Sequence, residues 1–256
     1  MTLRAATAGS TFRSLAFALF QLVVTPPYAI GVLLLFWLSP VARYRVITGW
    51  CAMILWGART ICGIRSTVIG APLPATPHIV MSKHSSTWET LFLTQTFPPL
   101  AYVAKKELLS IPFFGWAFRF ASPITIDRKA GASAMEQIAA QGRERFAQGF
   151  WIVVYPEGTR IRAGTRGKYK TGGARLAIEM NVPIVPVAHN AGWLWPKGTL
   201  GKRAGTVTLS IGPSIEPGGK DPLELTQEVE RWIEGEVERL GVPALEGSAT
   251  TRQHAA

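Results

Sequence analysis

The 256-residue chain has only two cysteines, Cys51 and Cys62, and only four histidines. Two thiols in an apolar stretch lack the dense, even spacing of a secreted disulfide scaffold, and they read as buried free thiols. Cys51, Cys62, His78, His84, His189 and His254 show no zinc-binding spacing, which argues against a metal site. Three patterns are also missing: the phosphate loop G-x-x-x-x-G-K-[ST], the dinucleotide fingerprint G-x-G-x-x-G and the nucleophile elbow G-x-S-x-G. Acidic residues are scarce over most of the length. Residues 1 to 215 hold 7 of them against 23 basic ones, and nine of the sixteen acids fall between Glu216 and Glu246. Such a field attracts phosphates, anionic lipid headgroups, acidic carrier proteins or nucleic acid, and does not choose among them.

Charge of either sign is absent from Ser14 to Ala42. A helix of that length exceeds the roughly 20 residues that cross a bilayer. Pro26-Pro27 sits in the middle, and proline removes a helical hydrogen bond, so the run predicts two short helices near 14–24 and 28–38. Arg4 and Arg13 precede the run and Arg43 and Arg45 follow it, which places both flanks on the cytoplasmic side. The reading is a membrane-inserted helical hairpin, with a single kinked transmembrane helix as the alternative. Val46 to Ile64 is rich in tryptophan and suits either the membrane interface or a core helix.

Beyond Pro72 and Pro74, short apolar runs alternate with helical stretches, the pattern of an α/β fold. Strands are predicted at Ile79–Ser82, Ala101–Ala104, Pro123–Ile126, Phe150–Tyr155, Pro183–Ala188 and Thr206–Ile211. Met135, Ile138, Ala139 and Phe146 recur at helical spacing. Another helix starts near Gly173. The last begins at Asp221 as N-cap, with Pro222 at its first position and Glu224 completing a capping box; it ends before Gly241, and its acids form a solvated face. The predicted architecture is a layered, mostly parallel or mixed sheet flanked by helices behind an N-terminal apolar membrane hairpin. Its divisions are 1–68 for the membrane segment, 69–245 for the catalytic domain and 246–256 for a disordered tail.

Two constellations carry chemistry. Directly after the first predicted strand comes Lys83-His84-Ser85-Ser86-Thr87-Trp88-Glu89. Within one helix, residues five apart point roughly 140° from each other, so His84 and Glu89 meet only if His84 lies on the turn before the helix, with Ser85 or Ser86 as its N-cap. A carboxylate beside a neutral imidazole fixes its tautomer and stabilises the imidazolium formed on proton abstraction. The second constellation is Tyr155-Pro156-Glu157-Gly158-Thr159-Arg160, at the end of the most hydrophobic strand, where α/β folds hold ligands. Gly158 allows close backbone approach, and Arg160 offers a fork that matches a phosphate monoester.

In four ordered blocks the chain resembles the lysophosphatidate and glycerol-3-phosphate acyltransferase family. His84 to Glu89 matches the family's His-x4-Asp motif, with Glu89 where most members have Asp. Lys105-Lys106-Glu107-Leu108 with Ile111-Pro112 and Gly115 resembles its second block, followed by Ile126-Asp127-Arg128. Pro156 to Arg160 matches Pro-Glu-Gly-Thr-Arg, and Val182 to Val187 matches the fourth block. The resemblance implies that His84 is the general base and Glu89 its orienter. It implies that Glu157, Gly158, Thr159 and Arg160 bind the acceptor phosphate, helped by Lys106 and Arg128. It further implies acyl transfer from acyl-CoA or acyl carrier protein to the sn-2 hydroxyl of 1-acyl-glycerol-3-phosphate, giving phosphatidate. Glycerol-3-phosphate, another lysophospholipid or a lyso-ornithine lipid is the alternative acceptor, and a non-catalytic binder of anionic lipid is the reading from another class. No metal or cofactor is expected beyond the thioester co-substrate, and the partners are membrane lipids rather than nucleic acid. The expected location is the cytoplasmic face of a bacterial inner membrane. Backbone amides near His84 or after Pro112 are candidates for stabilising the oxyanion, and Trp193 and Trp195 either border the acyl groove or pack.

Overall fold

The computed structural model describes residues 8–126, 133–198 and 200–243. Asp127, Arg128 and the expected tail at 246–256 lie outside the described residues. Helix α1 covers Ala8–Leu33 and helix α2 covers Pro40–Cys62. They form an antiparallel hairpin, but not the one expected from the prolines. Pro26 and Pro27 lie inside α1, which runs through them. An interior proline costs a helix about 3 kcal/mol, and α2 supplies contacts that offset it. Tyr28 Oη donates to the carbonyl of Val46 at 2.6 Å, and Trp50 Nε1 donates to Thr25 Oγ1 at 3.3 Å. The reversal falls instead at 34–39, where the Ser39 hydroxyl accepts from Ala42 N and Pro40 opens α2. Gly63, in the left-handed region at φ 72°, closes α2.

The α/β part is one seven-stranded sheet. Its strands are β1 (Ile64–Gly70), β2 (Ile79–Ser82), β3 (Leu100–Lys105), β4 (Ile124–Ile126), β5 (Trp151–Val154), β6 (Ile184–His189) and β7 (Gly205–Ile211). The spatial order is β1-β7-β6-β2-β5-β3-β4. Every neighbouring pair is parallel except β6 with β7, so the sheet is mixed and mostly parallel, as the alternating pattern predicts. The helices α3 (Trp88–Thr96), α4 (Phe114–Arg119), α5 (Ser133–Ala147), α6 (Gly172–Met180) and α7 (Pro222–Leu240) complete it. Asp221 caps α7 by accepting from Leu223 N and Glu224 N. Six of the seven strands stand where expected. The seventh, β1, was assigned to the membrane segment, and the boundary at 68 cuts through it. Only Ile64 of β1 is buried, so an edge strand with this pattern carries no apolar alternation to reveal it.

The core gathers Trp88, Trp151, Phe150, Ile79, Met81 and Leu100 around the central strands. Phe17 joins it from α1, edge-on to Trp195 at 5.1 Å, and ties the hairpin to the domain. The opposite face of α1 points outward: Phe12 is 74% exposed, and Leu15, Leu19, Leu22 and Val23 are exposed with it. This one helix is long and apolar enough to cross a membrane.

At Gly57 the ring of Phe20 fills the space next to the α2 backbone, since a β-carbon there would sit 2.5 Å from it. Gly57→Leu should therefore wedge α1 off α2 and cost about 1–3 kcal/mol. A thermal melt in detergent is the check, and an unchanged Tm would contradict the packing.

Candidate active site at the carboxyl edge of the sheet

Parallel strands deliver their following loops to one edge, where open α/β sheets hold ligands. Strand β2 ends at Ser82 and leads into Lys83 and His84; its neighbour β5 ends at Val154 and leads into Tyr155–Arg160. On the other side of β2, β6 ends at His189, and β3 leads into Lys106 at the start of a short 3-10 helix, Lys106–Ser110. The sheet thus brings three of the sequence blocks to one edge.

His84 lies on the turn before α3. Its Nδ1 is 2.8 Å from Glu89 Oε1, with Glu89 fully buried and the imidazole 16% exposed. The same oxygen accepts from the backbone N–H groups of Ser85 at 3.1 Å and Ser86 at 3.0 Å. Glu89, in the first turn of α3, therefore reaches back to the turn that precedes its own helix. The N-cap position itself falls on Thr87, not on Ser85 or Ser86, and Thr87 makes no capping hydrogen bond with its side chain. Ser86 instead donates to Trp195 O at 2.6 Å and accepts from Trp88 N. Burial is the strongest influence on Glu89 and pushes its pKa up. The hydrogen bonds from His84 and the Ser86 N–H oppose this, and the carboxyl lies below its ordinary range. An ionised Glu89 accepts only, so His84 Nδ1 carries the proton and Nε2 is left as the basic nitrogen. The imidazole lies flat on Tyr155, ring centres 3.9 Å apart, and Tyr155 Oη is 2.9 Å from Thr90 Oγ1.

The main chain of His84 is held from both sides by the loop after β5. His84 N donates to Glu157 Oε2 at 2.8 Å, and Ile161 N donates to His84 O at 2.8 Å. The Glu157 carboxylate is buried and turned inward, with Oε1 accepting from Lys83 Nζ at 2.7 Å. Burial pushes the Glu157 pKa up, against the opposing pull of Lys83. Gly158 has φ 66°, Thr159 is exposed and Arg160 is half-buried. Lys106 is exposed at the start of the short helix after β3, and Arg128 lies outside the described residues.

Sequence reasoning passed over three residues here. Lys83, Glu234 and His189 are all buried. Glu234 was assigned to the solvated face of α7, yet it follows Ile233 at the margin of the stripe formed by Leu225, Val229 and Ile233. An acid at the edge of an apolar face was the available signal. His189 ends a strand buried at every position. A cavity of about 290 Å³ adjoins the site, lined by Lys83, Ser85, His189, Glu234 and Trp193, whereas Trp195 packs in the core. Among the described residues no group of three or more His, Cys, Asp or Glu side chains is placed to hold a metal ion.

A family model described as Acyltransferase matches residues 65–190, the span that contains this edge. A 1-acyl-sn-glycerol-3-phosphate acyltransferase of Pseudomonas aeruginosa is 42% identical over 233 residues, covering 88% of this chain and 91% of that protein. The chain belongs to the 1-acyl-sn-glycerol-3-phosphate acyltransferase family. A plant member from Limnanthes douglasii is 31% identical over 210 residues, covering 78% of this chain and 72% of its own length. The crystal structure of the 1-acyl-sn-glycerophosphate acyltransferase PlsC from Thermotoga maritima shares the fold, with a TM-score of 0.74 at 24% identity over 90% of this chain and 95% of that one. The chain is accordingly an acyltransferase, and its His84–Glu89 pair sits in the segment that the family model covers.

His189 faces Glu89 from behind, its Nε2 3.8 Å from Glu89 Oε2, an oxygen with no hydrogen-bond partner among the described residues. His189 Nδ1 accepts from Ala191 N at 3.2 Å, so Nε2 carries the proton and donates to Lys83 O at 2.8 Å. This is a neutral imidazole, and burial lowers its pKa from the ordinary 6.5. A depressed histidine takes up its proton in the unfolded chain first, so stability falls as pH drops from 6.5 towards the folded value. Glu157, with its raised pKa, acts in the opposite sense. His189→Asn should therefore flatten the fall in Tm between pH 7 and 5.5 relative to wild type. Parallel Tm-against-pH curves would show that His189 is not buried in its neutral form.

Proposed function

We propose that the chain transfers an acyl group from acyl-CoA or acyl carrier protein to the sn-2 hydroxyl of 1-acyl-sn-glycerol 3-phosphate, giving phosphatidate. The observation that carries this reading is the 2.8 Å His84–Glu89 contact at the carboxyl edge, in a chain whose relatives bear that activity in their names. An alcohol attacks a thioester only as its proton leaves. His84 Nε2 takes that proton, and Glu89, kept ionised, stabilises the imidazolium. The proton then passes to the departing thiolate. Arg160, on the loop that clamps His84, contributes a fixed positive fork for the acceptor phosphate, with Gly158, Thr159 and Lys106 on the same edge. The surplus of basic residues in 1–215 suits an acceptor and a donor that are both anionic.

The substrate is a lipid, and the outward face of α1 supplies the membrane contact. Phe17 of α1 docks in the domain core, and α2 is partly buried in it through Cys51, Ile54, Ala58 and Cys62. A helix fixed along the domain in this way inserts sideways into one leaflet. Leu108, Ile111, Phe113 and Trp116, exposed near Lys105, Lys106 and Arg119, extend that apolar face towards the site. With basic flanks at Arg13, Arg43 and Arg45, the face belongs on the cytoplasmic side of a bacterial inner membrane.

His84→Ala should lower turnover by about 10²- to 10⁴-fold with Tm retained, and near-normal turnover would refute the base assignment. The acceptor is decided with detergent-purified protein, both thioester donors and a panel of lysophosphatidate, glycerol-3-phosphate and lyso-aminolipid, read by mass spectrometry. Phosphatidate should dominate; acylation of another acceptor in its place would overturn this reading. Arg160→Ala should raise the KM for lysophosphatidate more than it lowers kcat, because a phosphate contact is made before and during the reaction.

A further inference from the structure

Behind His84 lies a chain of buried charges that the proposed mechanism leaves unused. Lys83 Nζ sits 2.7 Å from Glu157 Oε1 and 2.7 Å from Glu234 Oε1. The three residues are 3%, 3% and 6% exposed. Tyr169 Oη donates to the same Glu234 oxygen at 2.8 Å, and Arg166, largely exposed, lies 4.0 Å from the other. Two carboxylates on one ammonium leave the cluster with excess negative charge, and burying charge is costly unless every group is paired. For stability alone, apolar side chains of similar volume would serve as well or better. What apolar side chains do not provide is a fixed carboxylate on the amide of His84.

We propose that Lys83 and Glu234 are positioning residues for His84, acting through Glu157. The inference rests on His84 being the base. Glu157 divides its two oxygens between His84 N and Lys83 Nζ. Without Lys83, Oε1 is a buried acceptor with no ammonium, and the carboxylate turns or takes up a proton. Without Glu234, the ammonium loses one of two anchors and no longer holds Glu157 in place. Because Ile161 N also donates to His84 O, a shift of Glu157 moves the histidine against the loop that carries Arg160. Helix α7 lies beyond the 65–190 span matched by the family model, so this chain's C-terminal helix takes part in aligning the site. A misplacement of 1 Å at a reacting group costs about 10²-fold in rate.

The test compares Glu234→Gln, Lys83→Met and the double variant Lys83→Met/Glu234→Leu with wild type and with His84→Ala. Purified in detergent, each is measured for kcat, for KM towards lysophosphatidate and donor, and for Tm. Glu234→Gln keeps the shape and removes the charge, and it should lower kcat by about 10- to 100-fold with both KM values within about twofold. Lys83→Met should do the same, and in the double variant the losses should be less than additive, with Tm recovering towards wild type while kcat stays low. If Lys83→Met does not fold, Glu234→Gln decides alone. Wild-type kcat in folded Glu234→Gln, or a drop in Tm with unchanged kcat per folded molecule, overturns the inference. His84→Ala separates the two levels: if it turns over normally the base assignment itself fails, whereas an inactive His84→Ala beside a fully active Glu234→Gln removes only the positioning role.

Discussion

The hydrogen bond from the His84 amide to the Glu157 carboxylate joins the ends of two adjacent strands, and the site is arranged around it. Strands β2 and β5 run parallel in the middle of the sheet, with β6 and β3 outside them, so both loops emerge where the scaffold is best packed. Ile79, Val80 and Ile152 are fully buried there. A loop peptide that leaves such a sheet has lost its ladder partners, and its N–H must be satisfied elsewhere. In His84 that partner is a side chain of the neighbouring loop, and the His84 carbonyl takes Ile161 N in return. Two loops from different parts of the sequence thereby become one rigid unit. A base that must stay within a fraction of an ångström of its hydroxyl needs this kind of support.

Much of this was legible in the sequence because the relevant signals are local. Buried central strands read as short apolar runs, and α7 announced itself through Asp221, Pro222 and Gly241. The dyad was legible for a related reason: five residues across a strand-to-helix turn can meet only in one way, and they do. What escaped was set by tertiary contacts. Pro26-Pro27 looked like a break because proline penalises a helix locally, but α2 lies alongside, accepting from Tyr28 at the Val46 carbonyl and donating from Trp50 to Thr25. Strand β1 was invisible because an edge strand paired only to β7 buries a single side chain. Glu157 was read from the resemblance as part of the phosphate site, and Glu234 as part of a solvated helix face. Only the fold reveals that Lys83, 74 residues before one and 151 before the other, meets both.

Glu89 shows how the same fold constrains a single side chain. A residue in the first turn of a helix can reach back to the turn before it, and Glu89 uses one oxygen for three donors: Ser85 N, Ser86 N and His84 Nδ1. The turn adjoins a helix start, where negative charge is favoured. The carboxylate that holds the imidazole thus also shapes the turn on which the imidazole sits, and neutralising it weakens both. The second oxygen, Oε2, is turned into the interior, 3.8 Å from Nε2 of the neutral His189 and with no hydrogen-bond donor among the described residues. A buried oxygen without a donor is costly, and it persists because the first oxygen is held by three. His189 in turn is kept neutral by its bonds to Ala191 N and Lys83 O, so it does not draw Glu89 away from His84. The asymmetry between the two histidines, one donating to Glu89 and one committed to the backbone, gives the imidazole hydrogen bond of the carboxylate to His84 and not to His189.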